Sequence, residues 1–127
     1  MLVGSGGCLE PCDSNTKLSY LISEVRLFLE ERDWEKFHNP KDLAESICIE
    51  AAELLQLFQW MNTEKVSDLK NDVPRIEKLK EELADVMIYC LSMANSLQID
   101  LTGCILSKLE SNRRKYPAEL FHGKTHV

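Results

Sequence analysis

Two acid pairs carry most of the chemistry this sequence can do: Glu50-Ala51-Ala52-Glu53 and Glu82-Leu83-Ala84-Asp85. In a helix, residues three apart lie about 60° apart on one side, one turn from end to end, so each pair holds two negative charges close together. Such charges repel and call for compensation. With Leu43 at zero on the helical wheel, Leu54 falls at about 20°, Leu57 at about −40° and Glu50 at about −20°, so Glu50 sits in the middle of an apolar face. A lone carboxylate there is costly unless it is protonated, hydrogen-bonded or paired with a cation. An all-oxygen set suits Mg²⁺, Mn²⁺ or Ca²⁺ better than zinc or copper. Mg²⁺ keeps waters and recruits phosphate oxygens, which points to phosphoryl-transfer chemistry.

The second pair repeats the arrangement less sharply. Leu79, Leu83, Val86 and Cys90 are expected to form a core stripe, flanked by a strip made of Lys78, Glu82, Asp85 and Tyr89. If the two helices pack antiparallel, Glu50, Glu53, Glu82 and Asp85 converge on one centre. A di-iron centre of the ferritin-like kind needs Glu-x-x-His motifs. The three histidines, His38, His122 and His126, all lie outside the helical runs, which excludes it.

The elements that must position these acids are helical. Leu18, Leu21, Ile22, Val25, Phe28 and Leu29 recur at helical spacing between Lys17 and Glu31, with Ser14 or Asn15 as the expected N-cap. Asn39-Pro40 opens a second helix expected to reach about Trp60. Met61 to Asp72 is polar and broken, with room for one short helical turn. Asp72-Val73-Pro74 starts a third helix to about Leu97, and Asp100 caps a fourth from Leu101 to about Lys115, stopped by Tyr116-Pro117. No alternating run or hairpin signal suggests strands. The expected fold is all-α: a four-helix antiparallel bundle, completed by dimerisation because the second and third helices are apolar around much of their circumference. Residues 1–13 read as a flexible Gly-rich lead-in, 14–120 as the folded domain and 121–127 as a tail.

Composition narrows the function. The chain has 127 residues, 44% hydrophobic and 28% charged, which fits one soluble globular domain. Fifteen Lys and Arg stand against 21 Asp and Glu, a formal charge of −6, arguing against a broad grip on a nucleic acid polymer. No apolar run is long enough to span a membrane, and Met1 to Cys12 lacks a secretory signal, so a cytoplasmic location is expected. Five cysteines make an odd count. Cys48, Cys90 and Cys104 fall in apolar helical patterns and read as reduced and structural, and Cys8-x-x-x-Cys12 lacks the partners of a zinc site.

The motifs also resemble a family. Glu50-x-x-Glu53 followed by Glu82-x-x-Asp85 is similar to the metal-binding signature of the all-α nucleoside triphosphate pyrophosphatases, the MazG-like superfamily. Arg32-Asp33-Trp34-Glu35-Lys36-Phe37-His38, Glu53 to Trp60, Glu81 to Val86, and Lys108 with Asn112 to Pro117 resemble its dCTP pyrophosphatase branch. The resemblance covers roughly Leu18 to Leu120. It implies hydrolysis between the α- and β-phosphates, to a monophosphate and pyrophosphate, by a homodimer or homotetramer. By the same resemblance Glu50, Glu53, Glu82 and Asp85 hold Mg²⁺, with Mn²⁺ as a substitute, and Glu50 or Glu53 also orients the attacking water. Lys108, Asn112 and Tyr116 contact phosphate or sugar, with Arg113 and Arg114 as weaker candidates. Trp34 and Trp60 are placed to stack on a base, Tyr89 to support a metal ligand, and His38 reads as a structural loop residue. One departure concerns the base: some dCTP-specific relatives present a His from the first helix toward the base, where this chain has Val25. The competing readings are a relative acting on dUTP or phosphoribosyl-ATP, and a non-enzymatic helical interaction module with solvated acids.

Overall fold

The computed structural model describes residues 10–125. Every regular element among them is helical: α1 (Leu18–Glu30), α2 (Pro40–Gln56), α3 (Thr63–Ser67), α4 (Val73–Leu97), α5 (Leu101–Lys115) and α6 (Ala118–Phe121), with 3₁₀ turns at Glu35–Phe37 and Leu69–Asn71. The chain divides into two compact units between Leu97 and Gln98. Most of the expected lead-in, with Cys8, lies outside the described residues, as does the end of the tail with His126.

Local capping explains most helix starts. Asn39 Oδ1 accepts from Asp42 N at 3.0 Å and Pro40 follows at the first helical position, where its missing N–H costs nothing. Asn62 caps α3 through Lys65 N at 2.9 Å, and Asp72 accepts from Arg75 N at 3.2 Å in the first turn of α4. Helix α1 departs from expectation. Lys17 occupies its cap position without a side-chain cap bond, and Asn15 Oδ1 instead accepts from Cys12 N. Helix α2 also stops early, at Gln56. From there Leu57, Phe58, Gln59 and Met61 each bond a carbonyl three residues back, a tightened end typical of helix termini.

In the first unit α4 packs against both α1 and α2. Arg75 Nη1 donates to Leu57 O at 2.5 Å, while Glu50, seven residues before Leu57, and Glu82, seven residues after Arg75, also meet. Contacts that move backward on one helix and forward on the other mean that α2 and α4 run antiparallel. Asn95 Nδ2 donates to Ile22 O at 3.1 Å and ties α4 to α1. Among the described residues the buried set is small, comprising Leu29, Leu43 (1% exposed), Leu91 and Ala94, with Glu82 and Ser92 among the polar residues.

The rotation of α4 about its axis differs from the expected stripe. Leu83 is 47% exposed while Glu82 is only 7% exposed, so the acid rather than the leucine faces the neighbouring helices. Cys48 and Cys104 are exposed and Cys90 is half-buried, so of these three only Cys90 contributes to packing. In the second unit Asp100 caps α5 by accepting from Gly103 N at 3.2 Å. A Cβ on Gly103 would lie 2.5 Å from Asp100 Oδ2, so this close cap needs glycine. Among the described residues no helix is long and apolar enough to cross a membrane.

Candidate metal centre and adjoining cavity

The antiparallel α2–α4 pair brings three of the four acids together. Glu50, Glu53 and Glu82 each offer a carboxylate oxygen within 4.8 Å of the others. Glu82 is buried, Glu50 half-buried and Glu53 exposed, so the cluster opens to solvent on the Glu53 side. Asp85 lies one turn beyond Glu82 and stands outside this tight set, although its charge still acts on Glu50. Lys78 offsets part of the negative charge, with Nζ 3.2 Å from Glu82 Oε1 and 3.2 Å from Glu81 Oε2. Hydrogen bonds to Glu81 and then Glu82 raise Lys78 above the ordinary lysine range.

One ammonium group is not enough. Burial, followed by the hydrogen bond and charge of Glu53 and then the charges of Asp85 and Glu82, pushes the Glu50 carboxyl above its usual range. Glu50 Oε2 and Glu82 Oε2 are buried and find no hydrogen-bond partner in the protein. Such acceptors cost free energy unless something positive meets them. Two partnerless carboxylate oxygens beside a third carboxylate form a donor set that fits a hard divalent cation.

A cavity of about 410 Å³ adjoins the acids through Asp85 and Tyr89. Its walls are Val25, Phe28 and Leu29 of α1, Trp34 and His38 of the following segment, and Ile88 and Ser92 of α4, with Glu24 at the rim. Trp34 packs edge-on against Phe28, with centroids 5.8 Å apart at 78°. His38 lies 6.2 Å from Tyr89, and its buried Nδ1 has no hydrogen-bond partner in the protein. The cavity thus combines an apolar aromatic wall with a few polar atoms, the usual make-up of a small-molecule site.

Trp60 is placed differently from Trp34. It is 89% exposed and has φ 66°, left-handed backbone that costs a bulky residue about 1–2 kcal/mol. In the second unit, Lys108 lines a shallow groove with Ile99, Asp100, Cys104 and Ser107. Asn112 O accepts from Tyr116 N at 2.7 Å, and the Tyr116 ring packs edge-on against Phe121 at 5.3 Å. Arg113 and Arg114 pair with Glu110. Sequence reasoning missed Ser92 and the partnerless nitrogen of His38 as cavity groups. Neither has a local signal, because the cavity exists only where α1 and α4 pack.

With this geometry in view, the comparisons with known proteins decide the family. The MazG-like family profile matches residues 45–125, a stretch that contains both acid pairs. The chain belongs to the MazG-like family. Within it, the sequence is similar to human dCTP pyrophosphatase 1, 44% identical over 94 residues, and to the bovine protein of that name, 38% identical over 96 residues. These alignments cover 73% and 76% of this chain but 55% and 57% of the relatives, so the chain spans little more than half their length. A solved pyrophosphatase from Archaeoglobus fulgidus superposes with a TM-score of 0.73 at 36% identity, covering 85% of this MazG-like chain and 99% of that one. These likenesses support the dCTP pyrophosphatase-like branch.

Proposed function

We propose that this MazG-like chain is a Mg²⁺-dependent nucleoside triphosphate pyrophosphohydrolase, with Mn²⁺ as a substitute, that acts on dCTP or a related nucleotide. The observation that carries the reading is the pair of buried, partnerless oxygens on Glu50 and Glu82 beside an aromatic-walled cavity. The named activity of the relatives agrees with it.

Glu50, Glu53 and Glu82, with Asp85 at the cavity edge, are the residues that would hold the cation. When bound, the ion supplies neutralisation of the triphosphate and acidification of a coordinated water. Glu50 or Glu53 would orient the attacking water and accept its proton. The water oxygen bonds to the α-phosphorus, the bridging bond from the α-phosphorus to the β-phosphate oxygen breaks, and the electron pair leaves with pyrophosphate.

Trp34 and Tyr89 line the cavity that would take the base and sugar, and His38 Nδ1 is the polar atom available to a base edge. Val25 makes its stretch of wall apolar, leaving base selection to other groups. Trp60 is proposed to stack on the nucleotide from its exposed turn. The phosphate or sugar contacts of Lys108, Asn112 and Tyr116 rest on the family resemblance. The proposed domain is residues 14–120, a four-helix antiparallel bundle completed in a homodimer or homotetramer. Ile49, Leu55, Leu83 and Met87 are large apolar side chains left exposed on α2 and α4, which supports that assembly. Sedimentation equilibrium reads it directly.

The deciding experiment is a nucleotide panel with and without Mg²⁺, detecting pyrophosphate separately from orthophosphate. Pyrophosphate and monophosphate in equal amounts, greatest with a deoxycytidine nucleotide, are expected. Orthophosphate alone would place the chain in another reaction class. Melting unaffected by Mg²⁺ would instead favour a non-enzymatic helical module.

A further inference from the structure

The exposed, left-handed Trp60 raises the question of what holds its turn. In a helix continued past Gln56, Met61 N would bond Leu57 O four residues back. Here Met61 N turns to Phe58 O at 3.0 Å, and the Leu57 carbonyl loses its helical partner. Arg75, 18 residues away in the first turn of α4, takes that carbonyl through Nη1 at 2.5 Å. The same nitrogen lies 3.6 Å from Met61 Sδ. On the other side, Arg75 Nε donates to Asp72 Oδ2 at 3.2 Å, which fixes the guanidinium against the start of α4. A cation at the C-terminal carbonyls of α2 is also favoured by the helix dipole.

The guanidinium therefore grips both residues that bracket Phe58 to Trp60, while Trp60 makes almost no packing contact of its own. We propose that Arg75 is a positioning residue for nucleotide binding. It locks the end of α2 onto α4 so that Trp60 is presented in one orientation to the substrate. This rests on the proposed role of Trp60 in the pyrophosphohydrolase. Arg75 touches no reacting atom, and its effect belongs in affinity rather than in the chemical step.

Arg75→Met keeps the apolar stem and removes the grip, and Arg75→Lys keeps a cation near Leu57 O. With dCTP as the probe, Arg75→Met is expected to raise KM about tenfold with kcat within about twofold, and Arg75→Lys to recover part of the loss; tenfold corresponds to about 1.4 kcal/mol. In a Trp34→Phe background, where Trp60 is the remaining tryptophan, Arg75→Met is expected to lower its fluorescence anisotropy. Adding Arg75→Met to Trp60→Ala is expected to change KM no further. Additive effects of the two substitutions on KM, or an unchanged anisotropy, would overturn the proposal. So would a drop in kcat at constant KM. Lack of turnover in the unsubstituted protein overturns the nucleotide reading instead, and the anisotropy still decides whether Arg75 holds the turn.

Discussion

Glu50→Gln should stabilise the protein without metal while destroying its function. The carboxylate oxygens of Glu50, Glu53 and Glu82 lie within 4.8 Å of one another. At that separation a like-charge pair costs about 1 kcal/mol at the dielectric of water and about 3–4 kcal/mol at an effective dielectric of 20. Glu53 is exposed, so its repulsion belongs near the lower figure, and Lys78 cancels much of the charge of Glu82. Removing the charge of Glu50 therefore releases about 1–2 kcal/mol, or roughly 4–8 °C in Tm for a chain of this size. The pH dependence has a definite sign. Glu50 titrates above its ordinary value of 4.5 in the folded state, so its ionisation destabilises the fold. That penalty is absent below pH 4.5, grows as pH rises through the raised folded value and is constant beyond it. The Tm advantage of Glu50→Gln over the unsubstituted protein should follow the same course in EDTA. Saturating Mg²⁺ should reverse the order if the acids hold the ion as proposed, since the amide removes one of the proposed ligands. Differential scanning calorimetry in EDTA and in Mg²⁺ between pH 4 and 8 makes the comparison. A variant less stable than the unsubstituted protein in EDTA at pH 7, or one with an undiminished Mg²⁺ shift, would refute the electrostatic argument.

Asp85→Asn should abolish pyrophosphate release with the helical circular dichroism unchanged, because Asp85 is exposed at the edge of the cavity and supports no core packing. Lys78→Met should lower Tm in EDTA by removing the cation on Glu82, and the deficit should shrink when Mg²⁺ occupies the site; a deficit of equal size in both conditions argues against shared compensation. Leu43→Ala, at the most buried large side chain, should cost about 2–5 kcal/mol in urea denaturation while leaving KM unchanged at low temperature.

Much of the fold is legible locally. Asn39-Pro40, Asp72 and Asp100 mark the starts of α2, α4 and α5 because a capping side chain acts within three residues of itself. The early end of α2 is less legible. It depends on the left-handed turn at Trp60 and on Arg75, whose grip on Leu57 spans 18 residues. The expected cap of α1 failed for a related reason: Asn15 found a partner in the preceding turn at Cys12 and left Lys17 at the boundary.

What the sequence by itself determined is the chemistry available: two acid pairs at helical spacing, no helical histidine to join them, and the motif set of the MazG-like family. Helical periodicity is enough for that, since residues three apart share a side of any helix. Only the tertiary structure decided which of those acids meet and what lies beside them. The rotation of α4 buried Glu82 and exposed Leu83, drew Glu50, Glu53 and Glu82 together and left Asp85 on the cavity between α1 and α4. A rotation about the helix axis changes no local hydrogen bond, so nothing in the local sequence of α4 specifies it. It is set by the side chains of α1 and α2 against which α4 packs.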